Sequence, residues 1–197
     1  GSISTVGTYN AGQNLSFLTA GTFTNNLRLE AGQNLAIKSS TGSIINKIGG
    51  ELVAGGDLNL EAATFLRNYH EINAGGKIDI KAGGDSSNYD GAIISSNTKV
   101  SNIQLGGKFY NMGRAEFANL VSDAYATYNY GQIATKGDLT LKNDYEFVNA
   151  KNASIIALNN ANLHGDYAVK NLENAEIYVG GNLSIRGENQ DLTNYFL

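Results

Sequence analysis

Asparagine recurs along this chain at an almost constant interval, and this recurrence constrains the fold more than any other feature. Neighbouring members of the series are separated by 18 to 23 residues. The series is Asn25, Asn46, Asn68, Asn88, Asn111, Asn129, Asn149, Asn171 and Asn194. Self-similarity at a period of roughly 20 to 50 residues is typical of solenoids, in which each repeat packs only against its neighbours. The interval therefore predicts a stack of about nine coils of roughly 21 residues.

Each repeat contains three short segments in which apolar and polar residues alternate, as expected of half-buried strands. In seven of the nine repeats the first has an apolar residue two positions before the Asn. The second has an apolar-x-small pattern, as in Ile72-Asn73-Ala74, and the third has a Leu-x-Leu pattern, as in Leu58-Asn59-Leu60. The sequence thus predicts an all-β fold, a single-stranded parallel β-helix with three strands per coil.

The apolar column of the third segment tests whether the repeats stay in phase. It reads Leu15, Leu35, Leu58, Ile78, Val100, Val121, Leu139, Ala161 and Leu183. From Leu35 onward each member follows its Asn by ten or twelve residues. An even difference keeps the same face of a strand inward, whereas an odd one would turn the core outward. We therefore predict that all nine residues point into the core.

Parallel stacking places equivalent residues above one another, which gives the Asn column a role. We predict that Asn25, Asn46, Asn68, Asn88, Asn111, Asn129, Asn149 and Asn171 point inward and donate amide hydrogen bonds from coil to coil, because buried polar groups need partners. The alternative is that some of them only form turns. Gly, Asn and Asp at the corners are expected to supply positive φ.

Composition narrows the class of protein. The chain has 197 residues with 24 Gly and no Pro, which fits a backbone whose donors are committed to sheet ladders. A net charge of −4 argues against nucleic-acid binding, and the absence of Cys excludes disulfides and thiolate metal sites. The one helix-like spacing lies at residues 115–126.

The domain organisation is expected to be one β-helix over residues 1–197 that forms part of a longer solenoid. Gly1-Ser2 resembles a cloning scar, and the last coil stops part-way with an apolar tail rather than the polar cap of a solenoid end. The coils of residues 82–130 are the least regular.

Candidate chemical sites are few. His70 and His164 lie more than four repeats apart, so we predict no metal site or catalytic triad on them. Residues 85–90 offer clustered oxygen ligands of the kind hard cations prefer, but a polar turn is favoured there. No metal and no cofactor is predicted.

A β-helical polysaccharide lyase or hydrolase is the alternative from the enzyme class. It would need acid and base groups clustered on one outer face. Asp57, Asp79 and Asp138 lie in different coils and are interpreted as solubilising charges, so the chain is predicted not to be an enzyme.

Residues beside the inward Asn must point outward, and in four successive repeats they are rich in tyrosine. This predicted set is Tyr69, Tyr89, Tyr110, Met112, Tyr128 and Tyr130. Tyrosine at such density is typical of recognition surfaces, because its ring gives apolar area with a polar tip. The competing interpretation is that stacked tyrosines only stabilise the ladder.

The repeat resembles the filamentous-haemagglutinin repeats of large exoproteins from two-partner secretion systems, across nearly the whole chain. Its pattern, F/L-x-N-x-G-x-I-x-A-G-G-D-L-x-L, is carried by Tyr128-Asn129-Tyr130-Gly131-Gln132-Ile133-Ala134-Thr135-Lys136-Gly137-Asp138-Leu139-Thr140-Leu141 and, more loosely, by Leu52-Val53-Ala54-Gly55-Gly56-Asp57-Leu58-Asn59-Leu60. The resemblance implies a right-handed β-helix from the shaft of a secreted adhesin, haemagglutinin or contact-dependent growth-inhibition protein on the surface of a Gram-negative bacterium.

Two parts found in such proteins are missing from this chain. Asn-Pro motifs of the secretion domain are absent because there is no Pro, and Leu172-Glu173-Asn174-Ala175 is not the Val-Glu-Asn-Asn boundary that precedes a toxin. The resemblance therefore implies a shaft or receptor-binding segment. Its expected partner is a receptor or glycan on a target cell, and an outer-membrane transporter would bind a region outside this chain.

Overall fold

The chain winds through three parallel β-sheets, with one strand of each sheet in every coil. The computed structural model describes residues 1–187 and the backbone of Asp191–Asn194. Strands β1, β2 and β3 form the first coil and enter sheets A, B and C respectively, and this order repeats in each later coil. All strand pairings in the three sheets are parallel and join neighbouring coils. The predicted parallel β-solenoid of about nine coils is confirmed.

The strand bounds show how short each segment is. Sheet A comprises β1 (Ile3–Ser4), β4 (Phe23–Asn25), β7 (Ile44–Asn46), β10 (Leu66–Asn68), β13 (Ser86–Asn88), β16 (Lys108–Asn111), β19 (Ala126–Asn129), β22 (Glu146–Asn149), β25 (Ala168–Asn171) and β28 (Asp191–Asn194). Sheet B comprises β2 (Tyr9–Ala11), β5 (Arg28–Ala31), β8 (Glu51–Ala54), β11 (Glu71–Ala74), β14 (Ile93–Ser96), β17 (Arg114–Phe117), β20 (Gln132–Thr135), β23 (Ser154–Ala157) and β26 (Glu176–Val179). Sheet C comprises β3 (Leu15–Thr19), β6 (Leu35–Ser39), β9 (Leu58–Ala62), β12 (Ile78–Ala82), β15 (Val100–Leu105), β18 (Asn119–Ala124), β21 (Leu139–Asn143), β24 (Ala161–Gly165) and β27 (Leu183–Gly187).

The core is a continuous apolar column enclosed by the three sheets. Alternate residues of each strand point inward, so that Phe23, Leu29 and Leu35 of one coil are all at most 1% exposed. Burying such a side chain stabilises the fold by about 1.5–3 kcal/mol. Within the described residues, no helix is long and apolar enough to cross a membrane.

The inward asparagines form a hydrogen-bonded ladder along sheet A. Each side-chain amide donates to the side-chain oxygen of the next Asn at 2.8–2.9 Å, from Asn25 through to Asn171. The same amides also donate to backbone carbonyls, as Asn68 does to Ile93 at 3.0 Å. All members from Asn25 to Asn149 are 0% exposed. The side chain of Asn194 lies outside the described residues.

Two residues predicted for the core point outward instead. Val100 and Val121 are 45% and 41% exposed, and the inward positions are taken by their neighbours Ser101 and Leu120. The offsets from the preceding Asn are thus 13 and 9, both odd. Strict alternation holds only within a strand, so a corner can reset it. Before β15 this corner contains Lys99 with a φ of 63°.

Two stretches differ from what their local sequence patterns suggested. Residues 115–126, which had helical spacing, form parts of β17 and β18 and the start of β19. Residues 85–90 do not form a polar turn, because Ser86–Asn88 is strand β13 with Ser86 and Asn88 buried. Packing against neighbouring coils overrides the local preference in both cases.

The glycine pairs that precede the strands of sheet C do not supply positive φ. Among the glycines of residues 1–187, positive φ is found at Gly49, the first residue of the pair Gly49-Gly50 before β8, and at Gly91. At Gly75 an added Cβ would instead overlap the carbonyl oxygen of Gly55 in the coil before. The pairs are therefore needed for close approach of stacked backbones, which is a second use of glycine.

A second polar column runs along the corner between sheets B and C. The side-chain oxygens of Asn34 and Asp57 accept the backbone N–H of Asp57 and Lys77 at 2.9 and 3.2 Å. Asp138 does the same for Asn160 at 3.1 Å. Asp57 and Asp138 are therefore structural corner residues rather than merely solubilising charges. Their carboxylates satisfy donors that the short corner leaves free.

Candidate partner-binding face

The outward side of sheet A carries the tyrosines that were predicted from the residues preceding each Asn. Tyr110 of β16 and Tyr128 of β19 are in register, and their rings stack with centroids 5.3 Å apart and planes 13° apart. Parallel pairing at about 4.8 Å per coil imposes this face-to-face arrangement, since equivalent side chains leave equivalent backbone positions. Stacking covers one face of the Tyr110 ring and leaves its other face toward the preceding coil.

A second stack lies at the corner just after β10 and β13. The rings of Tyr69 and Tyr89 are 4.1 Å apart between centroids and 10° from parallel. A hydrogen bond with Tyr69, reinforced by burial, raises the pKa of Tyr89 above its ordinary value. Tyr89 and Tyr110 line the same groove, so the two stacks form one continuous surface.

A third stack was missed by the sequence reading. Tyr125, Tyr145 and Tyr167 follow one another along the opposite corner of sheet A, with centroid distances of 5.5 and 4.9 Å. Each precedes its Asn by four residues, outside the directly flanking positions on which the prediction was based. We call the seven tyrosines of the three stacks the aromatic face: Tyr69, Tyr89, Tyr110, Tyr128, Tyr125, Tyr145 and Tyr167.

Two predicted members of the tyrosine set lie apart from these stacks. Met112 lines a different groove, together with Asp90, Arg114 and Gln132. Tyr130 is 53% exposed. Like Met112, it directly follows an Asn of the ladder, and its neighbours at this position are Met112 and Ala150, so it has no aromatic ring to stack on. The structure thus brings together four of the six predicted residues and adds three tyrosines to them.

A charged cluster fixes the centre of the aromatic face. The Tyr128 hydroxyl donates to Glu146 at 2.7 Å, and Lys170 donates to the other carboxylate oxygen of Glu146 at 2.8 Å. Burial, followed by the bond to Glu146, raises the pKa of Tyr128. Burial alone would raise the pKa of Glu146, but the hydrogen bonds from Lys170 and Tyr128 outweigh it and leave that pKa below its ordinary value.

Replacing Glu146 by Gln should destabilise the fold in a pH-dependent way. Charge-assisted hydrogen bonds of this kind contribute about 1.5–3 kcal/mol, and Gln keeps one acceptor, so we expect a loss of about 1–2 kcal/mol at pH 7. A lowered folded-state pKa gives stability that is present above the unfolded value of 4.5 and lost as the pH falls through the folded value. Urea unfolding at pH 7 and pH 3 should therefore show the deficit shrinking in acid. A deficit that is equal at both pH values would contradict this.

Other polar groups are engaged in local contacts. His164 Nε2 lies 2.7 Å from Asp166, and Asp79 pairs with Lys77 at 2.5 Å. Among the described residues, no group of three or more His, Asp or Glu side chains is arranged to hold a metal ion. His70 is half-buried beside the Asn ladder, where its carbonyl accepts from Asn68 at 3.3 Å.

Comparisons with known proteins give one match. The family model described as a haemagglutinin repeat matches residues 1–104 and 119–188. No curated protein and no solved structure matches the chain. The internal interval that the family model leaves out, residues 105–118, lies within residues 82–130, where the two odd offsets occur and the repeat pattern is weakest.

Proposed function

The chain belongs to the haemagglutinin-repeat family, and from this premise we propose that it is a rigid, non-enzymatic shaft segment of a bacterial surface exoprotein whose aromatic face binds a molecule on a target cell. Membership supports an adhesin-type shaft that is secreted. Export by two-partner secretion, display on a Gram-negative surface and a role in adhesion or growth inhibition are the finer parts of the proposal.

Rigidity follows from the way successive coils are joined. Each coil is bonded to the next through three parallel strand pairs, the Asn ladder and the corner column of Asn34, Asp57 and Asp138. Bending the solenoid would break several of these bonds at once on one side. A stack of this kind can hold a binding surface at a fixed distance from an anchor.

The observation that carries the proposal is the contrast between the sides of the solenoid. Sheet C presents an outward row of mostly charged and polar side chains, in which Lys38 pairs with Glu61 at 2.8 Å and Lys142 with Asp123 at 3.8 Å. The side of sheet A instead presents the seven stacked tyrosines. Tyr125 and Tyr167 remain 43% and 44% exposed. A contiguous aromatic surface on one side typically marks an interaction site.

The enzyme alternative gains no support from the carboxylates that it would use. Asp57 and Asp138 accept backbone N–H groups at the corner of sheets B and C, and Asp57 also pairs with Lys99 at 2.8 Å. Lys99, through its hydrogen bond, is the main cause that lowers the pKa of Asp57. A carboxylate held in this charged state cannot act as the proton donor of a glycosidase.

Binding to cells should depend on the aromatic face. We expect the triple variant Tyr89→Ser, Tyr110→Ser, Tyr145→Ser to bind more than tenfold more weakly, because buried tyrosines commonly dominate interfaces. The measurement is binding of fluorescently labelled protein to a panel of Gram-negative bacteria and cultured mammalian cells. These three tyrosines come from different stacks, and Tyr128 with its bond to Glu146 is left intact.

The matched control is Tyr178→Ser. Tyr178 is 60% exposed on sheet B, away from the aromatic face, so its loss should leave cell binding unchanged. Circular dichroism of both variants checks that the solenoid is retained. The proposal fails if no cell in the panel binds the wild-type chain, or if the folded triple variant binds as well as the wild type.

A further inference from the structure

The aromatic face contains an open groove that the stacks themselves do not fill. The groove has a volume of ≈ 620 Å³ and is lined by Phe65, Arg67, Asp85, Ser87, Tyr89 and Tyr110, with small residues at the adjoining corner. The groove arises from the sizes of the residues that stack above one another on the outer side of sheet A. In the column before the Asn, Arg67, Ser87 and Tyr110 follow one another in register, so a small residue stands between two large ones.

The geometry of this gap selects the shape of an occupant. Arg67 and Tyr110 are two coils apart, which is about 9.6 Å along the axis. Since Tyr128 covers the far face of the Tyr110 ring, the near face of that ring looks into the gap above Ser87. A flat ring in contact on both sides would need only about 7 Å, with about 3.5 Å on each side. The gap is therefore better matched to one puckered ring.

The polar groups around the gap select its chemistry. The Arg67 guanidinium lies 4.3 Å from the centroid of the Phe65 ring, which holds it at one end. Asp85 has one oxygen committed to the backbone N–H of Lys108 at 2.8 Å, and Ser87 contributes a half-buried hydroxyl between the two. An apolar wall with a few convergent donors and acceptors is typical of small-ligand sites. One cation and one carboxylate balance in charge, which favours a neutral ligand with several hydroxyls.

A peptide is a poor match for the same place. Extended peptides usually bind by adding a strand to the open edge of a sheet. Here β10, β13 and β16 are each paired on both sides, so the backbone beneath the groove has no free edge. Recognition must therefore come from side chains alone.

From these observations we infer that the groove binds one neutral hexopyranose unit of a cell-surface glycan. The apolar face of the sugar packs on Tyr110, its edge contacts Tyr89, and its hydroxyls bond to Arg67, Ser87 and Asp85. The inference rests on the proposed function, because it names the ligand class for part of the aromatic face.

The sharpest test fills the gap without removing any tyrosine. Ser87→Tyr continues the stack of Tyr110 and Tyr128 by one coil, so it should leave the fold intact while occupying the sugar position. The probes are the methyl glycosides of glucose, galactose and N-acetylglucosamine, with methyl glucuronide as the charged comparison. Saturation-transfer NMR at millimolar glycoside measures binding.

We expect saturation transfer from the wild-type chain to at least one neutral glycoside and at least a fivefold loss in Ser87→Tyr and in Tyr110→Ser. Tyr178→Ser should bind like the wild type. The inference is overturned if no neutral glycoside responds, if only the glucuronide does, or if folded Ser87→Tyr binds undiminished.

Failure of this inference can be told apart from failure of the proposed function. If cells bind the wild-type chain and the aromatic triple variant does not, while no neutral glycoside responds, the sugar inference is wrong and the aromatic face is still a binding surface. If neutral glycosides bind the groove but no cell does, the site exists and the proposed role in cell binding is wrong.

Discussion

Asn88→Asp is expected to lower the free energy of unfolding by about 3–5 kcal/mol at pH 7, which is the usual cost of an uncompensated buried charge. The amide nitrogen of Asn88 donates to Asn111 Oδ1 at 2.9 Å and to the carbonyls of Arg114 and Ala92 at 3.0 and 3.4 Å. An Asp would turn a carboxylate oxygen toward these three acceptors. Because the position is 0% exposed, no water could hydrate the carboxylate or separate it from these acceptors.

Acid should partly rescue this variant. Burial and the facing acceptors raise the pKa of the introduced carboxyl in the folded state above its unfolded value of about 3.9. A raised folded-state pKa means that the variant is least destabilised below about pH 4 and loses stability as the pH rises through the folded value. Urea unfolding at pH 3.5 and pH 7, relative to the wild type, measures this.

Asn162→Asp is the matched control. Asn162 is an exposed residue of β24 that points away from the core, so the same substitution there should change stability by less than about 0.5 kcal/mol. Equal effects at the two positions would show that the Asn ladder contributes nothing specific.

Gly75→Ala is expected to cost about 3 kcal/mol, at the upper end of what overpacking usually costs. The new Cβ would overlap the carbonyl oxygen of Gly55, and Gly75 N is itself bonded to the carbonyl of Ala54 at 2.9 Å. Backbone on both sides of the contact prevents relief by a rotamer change, so the coils must separate locally. A lower urea concentration at the unfolding midpoint, with an unchanged slope of the transition, would report this destabilisation.

Gly12→Ala separates the clash from the intrinsic effect of glycine. Gly12 occupies the same corner column, but a Cβ added there meets nothing within 4 Å. Neither glycine has a positive φ, so Ala is tolerated by the backbone at both and should even stabilise Gly12 slightly, by reducing unfolded-state entropy. If Gly75→Ala is as stable as Gly12→Ala, the explanation that glycine is needed at this corner for the close approach of neighbouring coils is wrong.

Much of the fold was predictable because the same pattern recurs in every coil, so irregular residues in one coil do not hide it. The Asn interval gave the number of coils, and the alternation around residues such as Phe23 and Leu35 gave the strands and their inward faces. The errors at Val100 and Val121 arose from treating a coil as one continuous strand. A corner residue such as Lys99, with its positive φ, changes which side chains of the next strand point inward, and the local sequence gives no indication of this.

The candidate face was predictable only in part. Tyr69, Tyr89, Tyr110 and Tyr128 were found because they flank the Asn column, whereas Tyr125, Tyr145 and Tyr167 lie around a corner from it. Glu146 attracted no attention in the sequence, although its bonds to Tyr128 and Lys170 organise the centre of the face. Such contacts join residues about one coil apart, and their side chains meet only when the register of that coil is known.

The sequence by itself determined a parallel β-solenoid with an inward Asn column, because a period near 21 residues leaves few other ways to bury an apolar residue at every second position. Tertiary structure alone decided which tyrosines stack, where Ser87 leaves a gap between Arg67 and Tyr110, and which glycines face a carbonyl. These outcomes depend on the axial register of neighbouring coils. Register is set by corners of varying length, so a change of one residue at a corner changes which side chains of the following strand face inward.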